Sequence, residues 1–330
     1  MTHATSSADA RGAPRGRPPL AGLVACRVFR QLVLTWLLAV CVAAPARSQG
    51  DEATHAASQY TGTLKRVQDT GTIRFGYREN SIPFAFRDAS GKPVGYSLDL
   101  CEAIADAVST ELGREIRTEY RPVTPENRFD RVVAGDIDLE CGSTTDNLER
   151  RKRVAFSPTI FVTGTKLMVR KGDGYRELRD LKGRTIVVTR GTVQDTALRK
   201  LAERQQLNLN FVTGADHRES FQIFESGKAD AWANDDILLY GMLAETRTGN
   251  KYRVVGDFLT YDPYGLMFRK DDPEFARIVD AAFGKLAESR EIVYIYNRWF
   301  LKRLPSGVRL DLPMSPHLEE LFRMQGLHAD

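Results

Sequence analysis

The sequence predicts an α/β protein that folds as two doubly wound lobes, and three observations support this prediction. From about Gly62 onward, short runs of alternating apolar residues are each followed by an amphipathic run with helical spacing, the order expected of parallel sheets covered by helices. The chain has 330 residues, 42% of them hydrophobic, which is enough for two domains with separate cores. No internal repeat or low-complexity linker interrupts this region, so the lobes are expected to pack against each other.

The first lobe is predicted from two βα units joined by short connections. Residues 72–77 alternate apolar and polar side chains, which indicates a strand with one buried face. Residues 128–134 form a short amphipathic run, predicted to bury Phe129, Val132 and Val133 on one helix face. In chain order, the predicted elements are a strand at 72–77, a helix at 98–112, a strand at 116–120, a helix at 128–134 and a strand at 136–141.

A second set of alternating elements begins near residue 165 and predicts the second lobe. Ser315 and Pro316 later suit the N-cap and first residue of a short closing helix. The chain is expected to cross between the lobes twice, so that lobe 1 comprises residues 61–162 plus 262–330 and lobe 2 comprises residues 163–261. The predicted strands lie at 165–170, 185–189, 207–212, 229–234 and 264–269, and the predicted helices at 191–206, 217–226, 235–245, 273–289 and 291–304.

An apolar run near the N-terminus, residues 31–44, is too short to cross a membrane comfortably. Two arginines precede this run, and Ala46-Arg47-Ser48 places small residues at the −3 and −1 positions of a cleavage site. We therefore predict a signal peptide over residues 1–48 and export of the mature chain. An uncleaved membrane anchor and a lipoprotein acylated at Cys41 are the alternatives, and the long polar start leaves open a translation start further in.

The predicted leader carries most of the excess positive charge. The whole sequence has 47 Lys and Arg against 43 Asp and Glu, and residues 1–48 hold six arginines and one aspartate. The remainder therefore has 41 basic and 42 acidic residues, a net charge of −1. A chain with this balance has no overall attraction to nucleic acid.

Two cysteines, Cys101 and Cys141, remain after the leader is removed. In an exported protein two cysteines suggest one disulfide, and a pair of buried free thiols is the alternative that the sequence leaves open. Two lone cysteines and five scattered histidines do not suggest a metal site. We therefore expect neither a metal nor a cofactor.

Three segments carry more information than periodicity can. The segments are Tyr77-Arg-Glu-Asn-Ser-Ile-Pro-Phe84, Glu140-Cys-Gly-Ser-Thr-Thr-Asp-Asn-Leu-Glu-Arg150 and Val188-Thr-Arg-Gly-Thr192. In this order and spacing they resemble the periplasmic solute-binding proteins of polar amino acid ABC transporters, and within that family the branch that binds glutamate and aspartate. The resemblance covers the chain from about Gly62 to the C-terminus.

The resemblance implies a periplasmic binding protein of type II, in which the ligand binds in a cleft between two lobes that close by a hinge motion. It implies a monomeric periplasmic receptor that captures L-glutamate or L-aspartate and delivers it to an inner-membrane ABC permease, without chemistry on the ligand. The alternative is an enzyme on the same scaffold, similar to cyclohexadienyl or arogenate dehydratases, which also act on dicarboxylates. The predicted site offers no obvious general acid besides His217. This scarcity of catalytic groups favours the receptor over the enzyme.

The chemistry of one segment suits an α-carboxylate. Ser143 and Thr145 follow a predicted strand and so lie at the carboxyl edge of a parallel sheet, where such folds bind ligands. Arg150 lies just beyond them, and a guanidinium beside two hydroxyls can form paired, charge-assisted hydrogen bonds to a carboxylate. The resemblance implies that these three residues hold the α-carboxylate and that Asp235 receives the α-ammonium. By chemistry alone Asp235 is a helix N-cap, a role that Asp236 beside it could take instead.

A second group is expected to hold the ligand's side chain. Arg78 ends the first predicted strand and Arg128 opens a short helix. The resemblance implies that both clamp the distal carboxylate, with His217 of the second lobe as a third donor. Thr192, at a predicted helix N-terminus, is expected to meet the ligand from the second lobe. The resembled branch usually has serine where this chain has Pro125, so one hydroxyl contact is missing.

Charge counting agrees with an acidic ligand. The three arginines contribute +3 and Asp235 contributes −1, whereas glutamate or aspartate has a net charge of −1. A neutral side chain would leave two buried guanidiniums without an anion, at a cost on the order of several kcal/mol. Surface ion pairs with neighbouring acids are the alternative role for Arg78 and Arg128. Thr124 is the candidate to replace the hydroxyl that is missing at Pro125.

Overall fold

The computed structural model describes residues 60–328, and the predicted signal peptide over residues 1–48 lies outside the described residues. The helices are α1 (Gly62–Thr70), α2 (Tyr96–Leu112), α3 (Arg128–Val133), α4 (Val193–Arg204), α5 (His217–Glu225), α6 (Asp236–Thr246), α7 (Pro273–Glu288), α8 (Glu291–Phe300) and α9 (Pro316–Met324). The strands are β1 (Thr72–Tyr77), β2 (Asn80–Ser81), β3 (Ala85–Arg87), β4 (Pro93–Val94), β5 (Arg117–Pro122), β6 (Leu139–Glu140), β7 (Val154–Phe156), β8 (Phe161–Thr163), β9 (Thr165–Arg170), β10 (Thr185–Thr189), β11 (Asn210–Gly214), β12 (Ala231–Asp235), β13 (Tyr252–Val255), β14 (Asp262–Tyr264) and β15 (Met267–Arg269).

The first lobe is built on a five-stranded sheet in the order β5-β1-β6-β15-β7. Strand β1 runs parallel to β5 and β6, whereas β15 pairs antiparallel with β6 and β7. Apolar residues of α1, α2, α7 and α8 join this sheet in one large core, which includes the fully buried Phe75, Leu139 and Phe300. Because β1 and β6 are parallel, Arg78 and Ser143, which follow them, reach the same edge of the sheet.

The second lobe is built on another five-stranded sheet, in the order β11-β10-β12-β9-β13. Strand β10 runs parallel to β11 and β12, and β9 pairs antiparallel with β12 and β13. Separate apolar clusters lie on its two faces, one containing Leu198 of α4 and the other Phe221 of α5. Strands β10 and β12 are parallel, so Thr192, after β10, and Asp235, the last residue of β12, reach one edge of this sheet.

The strands β8 and β14 connect the two lobes and pair antiparallel with each other, with Phe161 opposite Tyr264. The segment after α8 returns over this junction, where the Tyr261 hydroxyl lies 2.8 Å from Nε2 of His317 and α9 contacts β8. Ser315 caps α9 as predicted, its hydroxyl accepting from the Leu318 amide at 3.2 Å. Over residues 60–328, no helix has both the length and the apolar character needed to span a membrane.

The strand predicted at 264–269 is in fact two strands, β14 and β15, which belong to different sheets. Between them, the Gly265 amide donates to the Thr144 carbonyl at 3.1 Å and the Leu266 amide donates to the Ser157 hydroxyl at 2.9 Å. These bonds direct the chain from the connecting pair into the first sheet. Apolar side chains continue through the change, at Tyr264, Leu266, Met267 and Phe268, so the sequence pattern alone could not show it.

Helix α3 buries a different face from the predicted one. Val132 is buried, but Val133 is 49% exposed and Arg128 is only 2% exposed. The strand predicted at 136–141 is shorter in the structure, where β6 covers only Leu139–Glu140. The strand predicted at 207–212 begins later in the chain, as β11 (Asn210–Gly214). Helix α1 was not predicted, because its sequence is largely polar and its buried residues include only two large apolar side chains, Leu64 and Val67.

Cys101 of α2 and Cys141, directly after β6, form a disulfide whose Cα atoms lie 6.2 Å apart. The prediction of one disulfide is therefore confirmed. Both cysteines are fully buried. The bond ties α2 to the segment that leads into Ser143, so it supports one wall of the edge where the two parallel strands end.

Replacing Cys101 and Cys141 with serine is expected to lower the free energy of unfolding by about 4 kcal/mol, because the disulfide closes a long loop in the unfolded chain. The two cysteines are 40 residues apart in sequence. Urea unfolding of the mature chain, followed by circular dichroism, measures this change. The wild-type chain treated with a thiol reductant is the matched comparison, since it opens the same bond without a substitution. A loss below about 1 kcal/mol in both would contradict the expectation.

Candidate functional site

A small, nearly closed cavity of about 10 Å³ lies between the two lobes and receives side chains from both. This volume holds little more than one water molecule, so the lobes are closed on the side chains that line the cleft. The eight residues predicted from the sequence to bind a ligand all line it, together with three that were not predicted. The predicted lining residues are Arg78, Arg128, Ser143, Thr145, Arg150, Thr192, His217 and Asp235, and the additional ones are Gln194, Asn234 and Leu238.

A larger groove of about 730 Å³ lies beside the connecting strands β8 and β14. Its lining is mostly aromatic and aliphatic, and Asp236 is the only residue with a formal charge among the residues that line it. This groove offers little to a small ionic ligand, whereas the smaller cavity collects several charged groups. Over residues 60–328, no group of three or more His, Cys, Asp or Glu side chains is arranged to hold a metal ion.

Three guanidinium groups are brought together in the cavity. Arg78 and Arg128 are 3% and 2% exposed, and Nη1 of Arg150 donates to the Thr145 carbonyl at 2.7 Å. Burial and the neighbouring Arg128 lower the pKa of Arg78, and likewise the pKa of Arg150, to about 9. Both groups remain cationic at neutral pH. Such a concentration of buried positive charge requires anions nearby.

Phe129 provides an aromatic platform for these cations. The guanidinium carbons of Arg128, Arg150 and Arg153 lie 5.4, 5.1 and 5.9 Å from the centre of its ring. Cation–π contacts of this length are attractive and restrict the side chains without using their N–H donors. Nε of Arg128, which has no hydrogen-bond partner among the described residues, and the donors of Arg150 other than Nη1 therefore stay available to a ligand.

Glu140 lies behind the cavity wall and was not predicted to matter. It is fully buried at the end of β6, and its Oε2 accepts a hydrogen bond from the Thr144 hydroxyl at 2.6 Å. Its other oxygen, Oε1, has no hydrogen-bond partner among residues 60–328. The charge of Glu140 raises the pKa of Arg128 against the lowering caused by burial. Glu140 thus places a negative charge of the protein itself beside the arginine cluster.

Ser143 and Thr145 stand at the carboxyl edge of the first sheet, as predicted. The Ser143 hydroxyl is buried and has no hydrogen-bond partner in the described part of the chain. The Thr145 side chain, in contrast, lies beside the Asp262 carboxylate and favours its ionised form, lowering the pKa of Asp262 against the effect of burial. Ser143 can therefore offer its hydroxyl to a ligand, whereas Thr145 can offer mainly its backbone.

Thr192 is the N-cap of α4, and its hydroxyl is already used within the protein. Oγ1 donates to the Thr189 carbonyl at 2.6 Å and accepts from the Asp195 amide at 3.4 Å. Side-chain capping of this kind is the usual reason for threonine at a helix start. A contact from Thr192 to a ligand would therefore come from the free backbone N–H groups of the first helical turn.

His217 begins α5 and is 2% exposed. Its Nδ1 lies 3.2 Å from the side-chain nitrogen of Asn234 and 3.1 Å from the Thr189 hydroxyl. With Asn234 as the donor, Nδ1 is the acceptor and Nε2 carries the proton. Burial and the charges of Arg78 and Arg128 lower the pKa of His217 well below its ordinary value of 6.5. The ring is consequently neutral and can donate one hydrogen bond through Nε2.

Asp235 occupies the N-cap position of α6, but its side chain makes no capping hydrogen bond. Oδ2 accepts from the Tyr264 hydroxyl, while Oδ1 is buried and unpaired within the described residues. Asp236 beside it accepts from the Thr163 hydroxyl at 2.7 Å. The structure therefore leaves the Asp235 carboxyl, rather than that of Asp236, with an oxygen available in the cavity.

Asp262 forms a second carboxyl next to Asp235. It is 3% exposed and accepts a hydrogen bond from the Thr260 hydroxyl. Burial and the proximity of Asp262 raise the pKa of Asp235, and burial also raises the pKa of Asp262. Two buried carboxyls in contact hold a proton to higher pH than either would alone.

The loop around Pro125 packs against Gly191 of the second lobe and does not line the cavity. Thr124 is exposed, and its hydroxyl accepts from the Asn127 amide at 3.2 Å. Thr124 is not among the lining residues, so it does not replace the hydroxyl that is missing at Pro125. A Cβ added to Gly191, which has a φ of +74°, would lie 3.0 Å from the Pro125 carbonyl oxygen.

Other contacts across the cleft show that the lobes are closed. The amide nitrogen of Asn80 donates to Oδ2 of Asp216 at 3.0 Å, and Nε of Arg218 donates to Oδ1 of Asn80 at 3.0 Å. A Cβ added to Gly241 of α6 would lie 2.2 Å from the Ile82 carbonyl oxygen. The backbone of one lobe thus packs directly on the other.

Comparison with known proteins places these features in a family context. The model for the family "Bacterial extracellular solute-binding proteins, family 3" matches residues 73–302. The chain is similar to the L-glutamate/L-aspartate-binding protein of Pseudomonas aeruginosa, with 38% identity over 299 residues, 90% of this chain and 96% of that protein. It is 37% identical over 291 residues to the glutamate/aspartate import solute-binding protein of Escherichia coli, 88% of this chain and 95% of that protein.

Solved structures agree on the fold. An ancestral arginine-binding protein bound to arginine matches with a TM-score of 0.63 and 28% identity, over 70% of this chain and 98% of that one. The ancestral amino acid-binding protein AncCDT-1, a precursor of cyclohexadienyl dehydratase, matches with a TM-score of 0.62 and 27% identity, over 72% and 99%. The predicted type II periplasmic binding protein fold is confirmed. The relatives named here are binding proteins, which confirms the prediction of a binding protein and does not favour the dehydratase alternative.

Proposed function

The chain belongs to family 3 of the bacterial extracellular solute-binding proteins, and we propose that it is a periplasmic receptor that binds L-glutamate and L-aspartate and delivers them to an ABC import permease. The observation that carries the proposal is the closed cavity, in which the buried guanidiniums of Arg78 and Arg128 and the half-buried one of Arg150 face one free carboxyl oxygen. A dicarboxylic amino acid supplies two anions and one cation, which matches this set of groups.

The proposed roles follow from the groups that are free to bind. Arg150 and the Ser143 hydroxyl hold the α-carboxylate, with backbone donors of Thr145 and Thr192 beside them. Asp235 receives the α-ammonium through its unpaired oxygen. The distal carboxylate is held by three donors, Arg78, Arg128 and Nε2 of His217. A neutral side chain in that position would leave two buried guanidiniums without an anion, and this is why glutamine should bind poorly.

Closure makes this recognition effective. The lobes move about the paired strands β8 and β14, and we place the lobe boundaries there, with residues 61–162 plus 262–330 in one lobe and 163–261 in the other. Expulsion of water lowers the local dielectric and strengthens each ion pair. A monomer is sufficient, because one chain supplies every group of the cavity.

Isothermal titration calorimetry tests the proposal. The mature chain is first unfolded and refolded to remove bound ligand, then titrated with glutamate, aspartate, glutamine, asparagine, arginine and arogenate. We expect micromolar or tighter binding, about −8 kcal/mol or more favourable, for glutamate and aspartate only, with the ligand recovered unchanged. Absence of binding for both acidic amino acids, or conversion of arogenate, would overturn the proposal.

Ligand binding is expected to release up to one proton at pH 6. Burial and the neighbouring Asp262 raise the pKa of the Asp235 carboxyl to about 8, so the pair keeps a proton at pH 6 until the ligand binds. An arriving ammonium favours the ionised carboxylate and lowers its pKa, so the proton leaves. Titration at pH 6 in buffers of different ionisation enthalpy measures the release, which should decrease as the pH rises through about 8, the raised pKa of Asp235. Asp262→Asn is the control, because it removes the neighbouring charge; proton uptake in the wild type at pH 6 would contradict this expectation.

A further inference from the structure

Glu140 does not line the cavity, but it lies close to the groups that do. It ends β6, two residues before Gly142 and three before Ser143, and it is completely buried. A Cβ added to Gly142 would lie 2.4 Å from Oε1 of Glu140 and 3.1 Å from Cγ of Arg78. The missing side chain at Gly142 therefore lets the Glu140 carboxylate and the Arg78 stem approach each other.

The carboxylate is fixed without being paired to an arginine. Thr144 donates to Oε2, whereas Oε1 has no partner among the described residues. The ion pairs found at 4.0 Å or less over residues 60–328 do not include Glu140. Its charge acts at a distance on Arg78, Arg128 and Arg150, whose N–H donors it leaves free.

Glu140 changes the charge count of the site. The prediction from sequence counted Arg78 and Arg128 as a clamp of charge +2 for a distal group of charge −1. With Glu140 behind them, the clamp has a net charge of +1, which one carboxylate neutralises. Uncompensated charge in a closed, dry cavity is costly, so a balanced count favours closure around that ligand.

We propose that Glu140 is a specificity-determining residue that restricts the clamp to distal groups carrying a single negative charge. The inference rests on the proposed function, since it concerns the same ligand. Glu140 acts through the arginines and does not touch the ligand. A distal group with two negative charges is excluded by repulsion from Glu140 and by the excess negative charge that closure would bury.

Two ligands of the same shape separate charge from size. Serine O-sulfate and O-phospho-L-serine both end in a tetrahedral group, but the phosphate carries about −1.5 to −2 at pH 7, whereas the sulfate carries a single charge. We expect the wild-type chain to bind the sulfate ester at least tenfold more tightly than the phosphate ester. This measurement needs no variant, so it tests the proposal even if a substituted chain fails to fold.

Glu140→Gln removes the charge and keeps the shape, and its amide oxygen can still accept from Thr144. We expect the preference for sulfate over phosphate to fall at least tenfold in this variant. Glu119→Gln, on the exposed edge strand β5 with its carboxylate 47% exposed, is the matched control and should leave the preference unchanged. Calorimetry on the three chains with L-glutamate and both esters gives the ratios.

The outcomes distinguish the two proposals. If the wild type does not bind glutamate, the proposed function fails. If the wild type binds glutamate but does not prefer the sulfate ester, or if Glu140→Gln weakens all three ligands by the same factor, Glu140 is only structural and the inference is overturned. A shift of the sulfate-to-phosphate ratio in Glu140→Gln alone supports it.

Discussion

Replacing Arg150 with alanine is expected to abolish measurable binding of every amino acid. The Arg150 guanidinium is oriented by the Thr145 carbonyl at 2.7 Å and by the Phe129 ring, with its carbon 5.1 Å from the ring centre. In the proposed complex its remaining donors hold the α-carboxylate, which all amino acids share. Truncating one partner of a buried, hydrogen-bonded charge pair costs about 2–5 kcal/mol, so the Kd should rise on the order of a thousandfold.

Calorimetric titration with glutamate, aspartate and glutamine measures this loss. Arg153→Ala is the matched control, since Arg153 also stacks on Phe129, at 5.9 Å, but is 54% exposed and does not line the cavity. We expect less than a threefold change there, within the ordinary range of surface substitutions of about 0.5 kcal/mol. The increase in Kd for Arg150→Lys should lie between those of the two alanine variants, because lysine keeps the positive charge but lacks the paired N–H donors of the guanidinium. An increase in Kd of less than tenfold for Arg150→Ala would contradict the proposed role.

Replacing Arg78 with alanine is expected to weaken glutamate and aspartate about a hundredfold and to leave glutamine nearly unaffected. Arg78 is 3% exposed, and in the proposed complex it pairs only with the distal carboxylate. Its loss removes about 2–3 kcal/mol of a charge pair from acidic ligands alone. The substitution also relieves repulsion with Arg128, so a neutral side chain should fit no worse than before.

The measurement is the ratio of Kd values for glutamine and glutamate in the same preparation. Arg87→Ala is the control, because Arg87 follows in the same hairpin region but is 45% exposed and pairs with Glu79. It should leave the ratio unchanged. An equal loss for both ligands in Arg78→Ala would show that Arg78 supports the fold of the cleft rather than the choice of ligand.

Much of the site could be predicted from the sequence because its residues sit at ends of regular elements. Arg78 directly follows β1 and Asp235 is the last residue of β12. Apolar alternation locates these strands, and their parallel pairing brings their carboxyl ends together. The motif resemblance then identified which polar residues at those ends belong to one set.

The groups behind the cavity could not be predicted in this way. Glu140 has the appearance of an ordinary polar residue in a short strand, and Asp262 precedes a proline in what resembles a loop. Their effect depends on burial beside Arg128 and Asp235, which is a tertiary property. The same is true of Arg128, whose helix exposes a valine and buries the arginine, against the usual preference of both residue types.

The close contact between Gly241 and the Ile82 carbonyl bears on the affinity of the site for its ligands but not on its selectivity among them. A methyl group at position 241 would meet a backbone oxygen of the other lobe, which cannot move aside as a side chain can. It would disfavour the closed state while leaving each charged group of the cavity in place. Apparent affinity scales with the fraction of molecules that can close, so every ligand would be weakened by one common factor. A single glycine can therefore set how tightly every ligand is bound, independently of which ligand is preferred.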